Sequence, residues 1–253
     1  MLKDNHKREL VERAGLDRHF SAENWAEYNR KFFDALAPKY DYLNEVITLG
    51  MHTKYKNSVV DHIPVSDGDL ILDICTGSGD MALLLAKRFL NCYIVGADVS
   101  LEMLKVARKR SENYPNIEFR YADAMRLPFS DRHFDACVMG YGLRNLTDFR
   151  HGIREMIRVT RPGGVIAVLD LGKPQGLLGK TVYKSYFETL MPFLGKHVFH
   201  RQECNSFKYL PESNRFFPDP KTLTAFMQES GMEKIKSYSY MMGIISLQVG
   251  YVK

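Results

Sequence analysis

Cysteine is scarce in this chain, and histidine forms no metal-binding pattern. The 253 residues include four cysteines, none in a C-x-x-C spacing, and eight histidines, none in an H-E-x-x-H array. Zinc sites depend on such paired spacings, and three of the four cysteines fall in predicted strands or in the turn after the first strand, unlike a disulfide framework. We therefore expect four reduced thiols and no bound metal. The cysteines are Cys75, Cys92, Cys137 and Cys204.

Long apolar runs, internal repeats and low-complexity segments are also missing from the sequence. No apolar run approaches the roughly 20 residues that a membrane-spanning helix needs. The first eight residues include Lys3, Asp4, Lys7 and Arg8, a charged composition unlike that of a secretory signal. We expect a cytoplasmic protein. An apolar fraction of 45% supports a real core, and 253 residues fit one large domain or a domain with a cap.

Charge is not concentrated in one stripe. The formal net charge is +5, and the lysines and arginines are scattered along the chain. Such a scattered distribution of charge is typical of an ordinary solvent-exposed protein surface, and it is also compatible with loose contact with an anionic membrane. The sequence shows no aromatic and basic RNA-binding module, so we expect no nucleic-acid partner.

Strand and helix patterns alternate from residue 69 to residue 170. This alternation predicts a doubly wound, mostly parallel sheet of the Rossmann-like α/β class. Two stretches near residues 234–240 and 244–251 add an antiparallel edge and make seven strands. We expect a single domain in four parts: a helical N-terminal cap at 1–65, the core at 66–172, an insertion after the fifth strand at 173–220, and a C-terminal helix with edge strands at 221–253.

The turn after the first strand contains the most informative motif, Asp73-Ile-Cys-Thr-Gly-Ser-Gly-Asp80. Gly77 and Gly79 let the backbone turn sharply against a ligand, and Asp98 ends the second strand, where an acid takes ribose hydroxyls. The G-x-G-x-x-G pattern is absent, and the two acids of the motif would repel a pyrophosphate while suiting an amine and a sulfonium. We therefore predict S-adenosylmethionine as the cofactor. The alternative is a purely structural tight turn.

Residues after the next strands are further candidates for the cofactor site. Val99 and Met103 follow the second strand, and Met103 either packs on an adenine face or fills the core. Asp123, after the third strand, is placed to accept a hydrogen bond from an exocyclic amine. The fourth strand leads into Tyr141-Gly-Leu-Arg-Asn145, at the sheet edge where ligands bind.

These motifs occur in an order that resembles one known family. From about Phe32 to the C-terminus, the chain is similar to the ubiquinone/menaquinone biosynthesis C-methyltransferases, which are class I S-adenosylmethionine-dependent enzymes. The segments that carry the resemblance are Phe33-Asp-x5-Tyr40-Asp-x2-Asn44, the glycine turn, Leu127-Pro-Phe129, Gly142-Leu-Arg-Asn-Leu-Thr-Asp148, Arg161-Pro-Gly-Gly164 and Tyr209-Leu-x2-Ser213.

The resemblance implies both the cofactor site and the methyl acceptor. The acceptor it implies is a demethylmenaquinol or a related lipophilic demethylquinol. Tyr55 and Gln248 stand where a tryptophan and a histidine are common in the family, which keeps open another small aromatic or phenolic acceptor. A cofactor-binding scaffold without turnover is a further alternative. The residues that the resemblance places in the cofactor site are Ser78, Asp98, Asp123, Ala124 and Gly140.

Candidate catalytic residues follow from residue type, from position in the predicted fold and, for Arg144 and Tyr40, also from the resemblance. Arg144, with Asn145 beside it, suits stabilisation of a phenolate on the acceptor because a guanidinium stays protonated. The alternative is an ion pair with Asp148, four residues on. Tyr40 is expected to close over the methionine end of the cofactor. His52 is a candidate base.

After the fifth strand, apolar residues recur at helical spacing between Leu178 and Leu194. Packing of this helix against the sheet is one interpretation. The other is a channel for a polyprenyl tail, shared with Tyr209, Leu210 and Phe216, together with peripheral contact with the inner membrane. Whether the protein forms a homodimer is left open by the sequence.

Overall fold

The computed structural model describes residues 25–48, 50–174, 176–186, 213–214 and 217–253. In these ranges one sheet contains seven strands: β1 (Leu70–Ile74), β2 (Tyr93–Asp98), β3 (Ile117–Tyr121), β4 (Phe134–Gly140), β5 (Thr160–Leu171), β6 (Met232–Tyr240) and β7 (Ile245–Val252). Their order is β3-β2-β1-β4-β5-β7-β6. Strands β1 to β5 are parallel, whereas β7 is antiparallel to β5 and β6. The predicted seven-stranded, mostly parallel sheet is confirmed.

The helices of the described ranges are α1 (Trp25–Leu36), α2 (Tyr40–Thr48), α3 (His52–His62), α4 (Asp80–Arg88), α5 (Leu101–Arg110), α6 (Phe149–Val159), α7 (Gly176–Ser185) and α8 (Pro220–Glu229). A 3-10 turn at Ala37–Lys39 separates α1 from α2. Pro38 lies in this turn, and proline cannot continue a helix because it lacks the backbone N–H. Helix α2 begins at Tyr40, directly after this turn.

Apolar residues of the sheet are buried on both faces. One face packs against Val59, Leu85 and Leu104, which lie on α3, α4 and α5. The other packs against Met156 of α6 and Met227 of α8. Burial on both sides explains why the central strands are continuous apolar runs instead of alternating patterns.

The turn between β1 and α4 depends on its glycines. Gly77 and Gly79 have φ angles of +56° and +84°, in the region that disfavours residues with a Cβ. A Cβ on Gly79 would also lie 3.1 Å from the Cβ of Ala107 and 3.1 Å from the ring of Phe119. Close packing of α4 on α5 and β3 therefore requires glycine at position 79.

Strand order places a crevice at the carboxyl ends of β1 and β4. Strands β1 and β4 are neighbours, but the chain continues from β1 to β2 on one side and from β4 to β5 on the other side. The direction of the connections therefore reverses between β1 and β4. Such a switch point is the usual ligand site of a doubly wound sheet. The residues that follow β1, β2 and β4 thus converge on one place, although they are distant in sequence.

The insertion after β5 differs in part from the expectation. Leu178, predicted to belong to a buried stripe, is 68% exposed, because α7 packs on the body through Val182 and Tyr183. Residues 187–212, and with them Leu194, Tyr209 and Leu210, lie outside the described residues, as does Phe216. No helix in the described ranges is both long enough and apolar enough to cross a bilayer.

Candidate active site

Two neighbouring cavities lie at the carboxyl edge of the sheet. The first, which we call the switch-point cavity, is lined by residues that follow β1, β2 and β4, among them Gly77, Asp98 and Gly140. The second, the cap cavity, lies among α2, α3, α7 and the end of β5. Tyr40 and Tyr141 line both cavities. The two spaces are therefore separated by two aromatic side chains.

Asp98 is held in the wall of the switch-point cavity by two backbone donors. Its Oδ2 accepts a hydrogen bond from the N–H of Gly77 at 2.9 Å, and its Oδ1 accepts one from the N–H of Ser100 at 2.8 Å. Burial raises the pKa of Asp98 above its ordinary value. Each carboxylate oxygen has two lone pairs, so Asp98 keeps acceptor capacity for the hydroxyls of a ribose.

The remaining wall of the switch-point cavity combines apolar surface with one more acid. Val99, Met103, Met125 and Phe33 supply the apolar part, and Asp123 accepts a hydrogen bond from the N–H of Met125 at 2.8 Å. None of the described residues that line the cavity is Lys, Arg or His. This chemistry fits a nucleoside that carries a cationic sulfonium, and it does not fit a pyrophosphate.

Asp73 does not line this cavity. Its carboxyl group, 1% exposed, accepts hydrogen bonds from the Thr76 hydroxyl at 2.5 Å and from the N–H of Ala82 at 3.1 Å. Burial raises the pKa of Asp73 to about 7. The expectation that Asp73 faces a cationic ligand is corrected, because its carboxyl group forms hydrogen bonds that stabilise the turn.

Asp80, the second acid of the motif, faces basic residues of the protein. Its carboxylate lies 2.8 Å from the Lys56 ammonium and 2.6 Å from the Arg110 guanidinium. Burial raises its pKa, but the two cations outweigh burial and lower the pKa to about 2. The negative charge of Asp80 is thus neutralised within the protein, so Asp98 and Asp123 are the acids offered to a ligand.

The other predicted cofactor residues divide between the cavity wall and the layer behind it. Ser78 is buried, donates to Asp41 at 2.6 Å and accepts from Arg110 at 3.0 Å. Ala124 packs in the core, and Gly79 faces α5. The predicted cofactor residues that the structure brings to the cavity are Gly77, Asp98, Val99, Met103, Asp123 and Gly140, and those behind it are Asp73, Ser78, Gly79 and Ala124. Met103 is both buried and in the wall.

Arg144 and Asn145 lie in a 3-10 turn, Leu143–Asn145, after β4. Arg144 lines the cap cavity and Asn145 the switch-point cavity. The Nη1 of Arg144 donates to Asp170 Oδ1 at 2.6 Å and to the carbonyl of Tyr141 at 2.7 Å. The carboxylate that pairs with Arg144 is therefore Asp170, whereas Asp148, suggested by the sequence, is the N-cap of α6.

Asn145 connects this turn to the N-terminal cap. Its carbonyl oxygen accepts hydrogen bonds from the indole N–H of Trp25 at 3.0 Å and from the side-chain amide of Asn29 at 2.7 Å. Its own side-chain amide donates to the carbonyl of Tyr141 at 3.2 Å. Helix α1 is thereby tied to the loop that separates the two cavities.

The cap cavity contains the candidate base, His52. The Nδ1 of His52 lies 3.0 Å from the Thr48 hydroxyl, and its Nε2 lies 3.9 Å from a carboxylate oxygen of Asp80. Burial lowers the pKa of His52, and the nearby Lys56 lowers it further. The imidazole is therefore neutral near pH 7, in the form that can accept a proton.

Sequence reasoning missed two residues of the site. Tyr141 stands at the boundary of both cavities, and Asp170 orients Arg144. A signal for Asp170 was present, because this acid ends the predicted fifth strand at the ligand edge of the sheet. The position of Tyr141 between the two cavities depends on its backbone conformation, which no local sequence pattern predicts.

The fold and the site define a class of protein, the S-adenosylmethionine-dependent methyltransferases. The fold is shared with such an enzyme from Thermotoga maritima (TM-score 0.65, 18% identity, covering 88% of this chain and 99% of that one). It is also shared with phosphoethanolamine N-methyltransferase 2 of Haemonchus contortus in complex with S-adenosyl-L-methionine (TM-score 0.60, 14% identity, covering 79% and 52%).

The sequence comparison is more specific. The profile of the ubiE/COQ5 methyltransferase family matches residues 22–252, and the chain belongs to this family. It is 38% identical to the ubiquinone/menaquinone biosynthesis C-methyltransferase UbiE of Pseudomonas fluorescens (strain SBW25), over 92% of this chain and 93% of that protein. It is 34% identical to the demethylmenaquinone methyltransferase of Lysinibacillus sphaericus (strain C3-41), over 92% and 99%. The predicted family, enzyme class and cofactor are confirmed.

We predict that Asp98→Asn weakens S-adenosylmethionine binding roughly tenfold to a hundredfold, because a hydrogen bond to a charged group contributes about 1.5–3 kcal/mol. Isothermal titration calorimetry measures the affinity, and circular dichroism verifies the fold of the variant. Asp67→Asn, at an exposed carboxylate that accepts from the side chain of Asn91, is the matched control and should bind normally. A folded Asp98→Asn protein with wild-type affinity would contradict this assignment.

Proposed function

We propose that the protein transfers the methyl group of S-adenosylmethionine to a ring carbon of a demethylmenaquinol or a closely related demethylquinol. The names of the Pseudomonas and Lysinibacillus relatives support a quinone-pathway acceptor. The residues that would hold the cofactor are Asp98 for the ribose hydroxyls, Asp123 for an exocyclic amine, and Val99 with Met103 for the adenine faces.

The observation that carries this proposal is the contiguity of the two cavities. The cap cavity adjoins the switch-point cavity across Tyr40 and Tyr141, so an acceptor in one space lies beside a methyl donor in the other. It comprises about 950 Å³ of space between protein atoms, including the part open to solvent. Its lining of aromatic and aliphatic side chains suits an aromatic ring with an apolar substituent. Its apolar lining is Ile47, Met51, Tyr55, Leu171, Val182, Tyr186, Met241, Ile244 and Ile245.

The reaction makes a carbon–carbon bond and breaks the bond between sulfur and methyl, so that sulfur keeps the electron pair as a neutral thioether. The ring carbon that gains the methyl group then loses its hydrogen as a proton, which restores the aromatic ring. The cofactor supplies an electrophilic methyl group when it is bound. The ring carbon becomes nucleophilic as its neighbouring hydroxyl loses a proton, so the protein must stabilise the resulting oxyanion. Arg144 lines the cap cavity with its guanidinium oriented by Asp170, and it is the residue we assign to this oxyanion.

His52 is the residue that we assign to accept the proton. It lines the same cavity, and its lowered pKa keeps the imidazole neutral. A neutral imidazole in the wall of a largely apolar cavity can take a proton from a phenol directly or through one water. The Asp80 carboxylate, 3.9 Å from His52 Nε2, favours the imidazolium that forms, whereas the neighbouring Lys56 disfavours it and so promotes release of the proton.

The main alternative is a different small aromatic or phenolic acceptor. Of the two departures from the family pattern, Tyr55 is 3% exposed and lines the cap cavity, whereas Gln248 is buried in β7 and donates to the Ser237 hydroxyl at 3.3 Å. Tyr55 therefore helps to determine which acceptor fits the cap cavity, whereas Gln248 contributes to the packing of β7. The remaining alternative is a scaffold that binds the cofactor without turnover. A turnover assay distinguishes such a scaffold from an active methyltransferase.

The proposal is tested by incubating the protein with S-adenosylmethionine labelled in its methyl group and a panel of reduced acceptors. We expect transfer to demethylmenaquinol or demethylubiquinol analogues, with the label on a ring carbon by mass spectrometry, because the cap cavity places the ring beside the methyl donor. Simple phenols serve as the comparison set. Transfer to phenols alone would favour the second candidate function, and transfer to none would favour the scaffold.

We predict that Arg144→Lys lowers kcat roughly 100- to 1,000-fold and leaves the affinity for S-adenosylmethionine unchanged. Lysine keeps the charge, but it loses the planar fork that can hold an oxyanion and Asp170 together. Lysine is preferable to alanine, which would leave Asp170 buried without its cation at a cost of about 3–5 kcal/mol. Arg161→Lys, at an exposed arginine paired with Asp135, is the control. Normal turnover by Arg144→Lys would exclude the proposed role.

Exposed apolar residues on α7 and on the turn before β7, two elements that line the cap cavity, support peripheral contact with a membrane surface. Leu177 is 85% exposed, Leu178 68%, Met241 41% and Met242 52%. Met241 lines the cavity, and a Cβ on Gly179 of α7 would lie 3.1 Å from the carbonyl of Met242, so α7 packs against the turn that carries the two methionines. A lipophilic acceptor would enter from the bilayer past α7 and this turn.

We predict that Leu177→Ser combined with Leu178→Ser weakens co-sedimentation with anionic liposomes about tenfold, because partial burial of two leucines contributes on the order of 1.5 kcal/mol. The variant should also be slower on a long-tailed acceptor in liposomes and unchanged on a short-tailed acceptor in solution. Leu90→Ser, at a leucine that is 75% exposed at the opposite edge of the sheet, is the control. Equal binding by all three proteins would count against membrane contact.

A further inference from the structure

The hydroxyl group of Tyr141 is buried and has no hydrogen-bond partner among the described residues. The side chain lines both the switch-point cavity and the cap cavity. Leaving a polar group buried without a partner is unfavourable, and folded proteins rarely do so without a reason. Because Tyr141 is part of the walls of both cavities, a ligand atom is the candidate partner for this hydroxyl.

The backbone of Tyr141 has a conformation that is unfavourable for this residue type. Its φ angle is +60°, in the left-handed region, which is unfavourable for an aromatic residue. The N–H of Tyr141 donates to the carbonyl of Leu169 at 2.7 Å, and its own carbonyl accepts from Arg144 at 2.7 Å and from Asn145 at 3.2 Å. Strain that the surroundings enforce in this way is characteristic of functional sites.

The chemistry of the group defines what it can bind. Burial raises the pKa of Tyr141 above its ordinary value, so the hydroxyl stays protonated and can act as a donor. The Arg144 guanidinium lies 5.9 Å from the centroid of the Tyr141 ring, and both side chains line the cap cavity. An oxygen atom on a ring in that cavity would therefore meet a neutral donor and a cationic donor on the same wall.

We propose that Tyr141 is an acceptor-binding residue whose hydroxyl donates a hydrogen bond to an oxygen on the ring of the methyl acceptor. This inference rests on the proposed function and adds to it a requirement for an oxygen-bearing ring at the boundary of the cavities. The bond orients the ring so that one carbon faces the switch-point cavity. Holding the two reactants in line is a large part of catalysis of a displacement at a methyl group.

The test is Tyr141→Phe, which removes one oxygen and keeps the ring. Three quantities are compared in the purified full-length chain: kcat/KM for a reduced demethylquinol, the affinity for S-adenosylmethionine, and the melting temperature without ligands. We expect kcat/KM to fall at least tenfold and the cofactor affinity to stay within twofold. The melting temperature should be equal or higher, because the variant no longer buries an unpartnered hydroxyl. Tyr93→Phe, at a tyrosine that is 56% exposed, is the control.

Loss of turnover without loss of stability distinguishes binding of the acceptor from a structural role. Unchanged kcat/KM in a wild-type protein that does methylate the quinol overturns the inference and leaves the proposed function intact. An equal loss of cofactor affinity, or a lower melting temperature, also overturns it.

A second measurement applies if the wild-type protein methylates no member of the panel, an outcome that contradicts the proposed function. Binding of 1-naphthol, followed by calorimetry in the presence of S-adenosylmethionine, then tests Tyr141 directly. At least fivefold weaker binding to Tyr141→Phe than to wild type and to Tyr93→Phe supports the hydrogen bond. Equal affinity for all three proteins overturns it.

Discussion

The arrangement of the site depends on the buried ion pair between Arg144 and Asp170. The two side chains are 7% and 1% exposed, and Asp170 Oδ2 also accepts from the backbone N–H of Arg144 at 3.1 Å. This pair joins the loop after β4 to the end of β5. A buried pair of this kind is weak evidence for stability, because desolvation offsets much of the attraction. Its consequence here is geometric: it sets the position of the loop that divides the two cavities.

The rest of the site follows from the position of that loop. Tyr141 is held at its carbonyl by Arg144 and Asn145, and its ring separates the switch-point cavity from the cap cavity. The carbonyl of Asn145 in turn binds Trp25 and Asn29, which brings the N-terminal helix over the cofactor side. One short turn thereby positions Tyr141 between the two cavities, contributes to the wall of the switch-point cavity and anchors the cap.

The two cavities are built by different parts of the fold. The switch-point cavity is built by the sheet itself, and its acids and apolar residues follow parallel strands, so its chemistry is common to many proteins of this fold. The cap cavity is built by α2, α3, α7 and the turn before β7, which are elements added to the sheet. In the proposed function these added elements, with Tyr55 among them, are the ones that contact the acceptor.

The sequence by itself determined the fold class, the cofactor and the family. These depend on local patterns: apolar periodicity, the glycine turn, and acids at strand ends that parallel strands bring to one edge. Only the tertiary structure decided which acids face the ligand. Asp73 and Asp80 belong to the motif that suggested a cationic ligand, yet one is buried within the turn and the other pairs with Lys56 and Arg110. Likewise the partner of Arg144 is distant in sequence, because contacts between separate strands and helices are not encoded in local spacing.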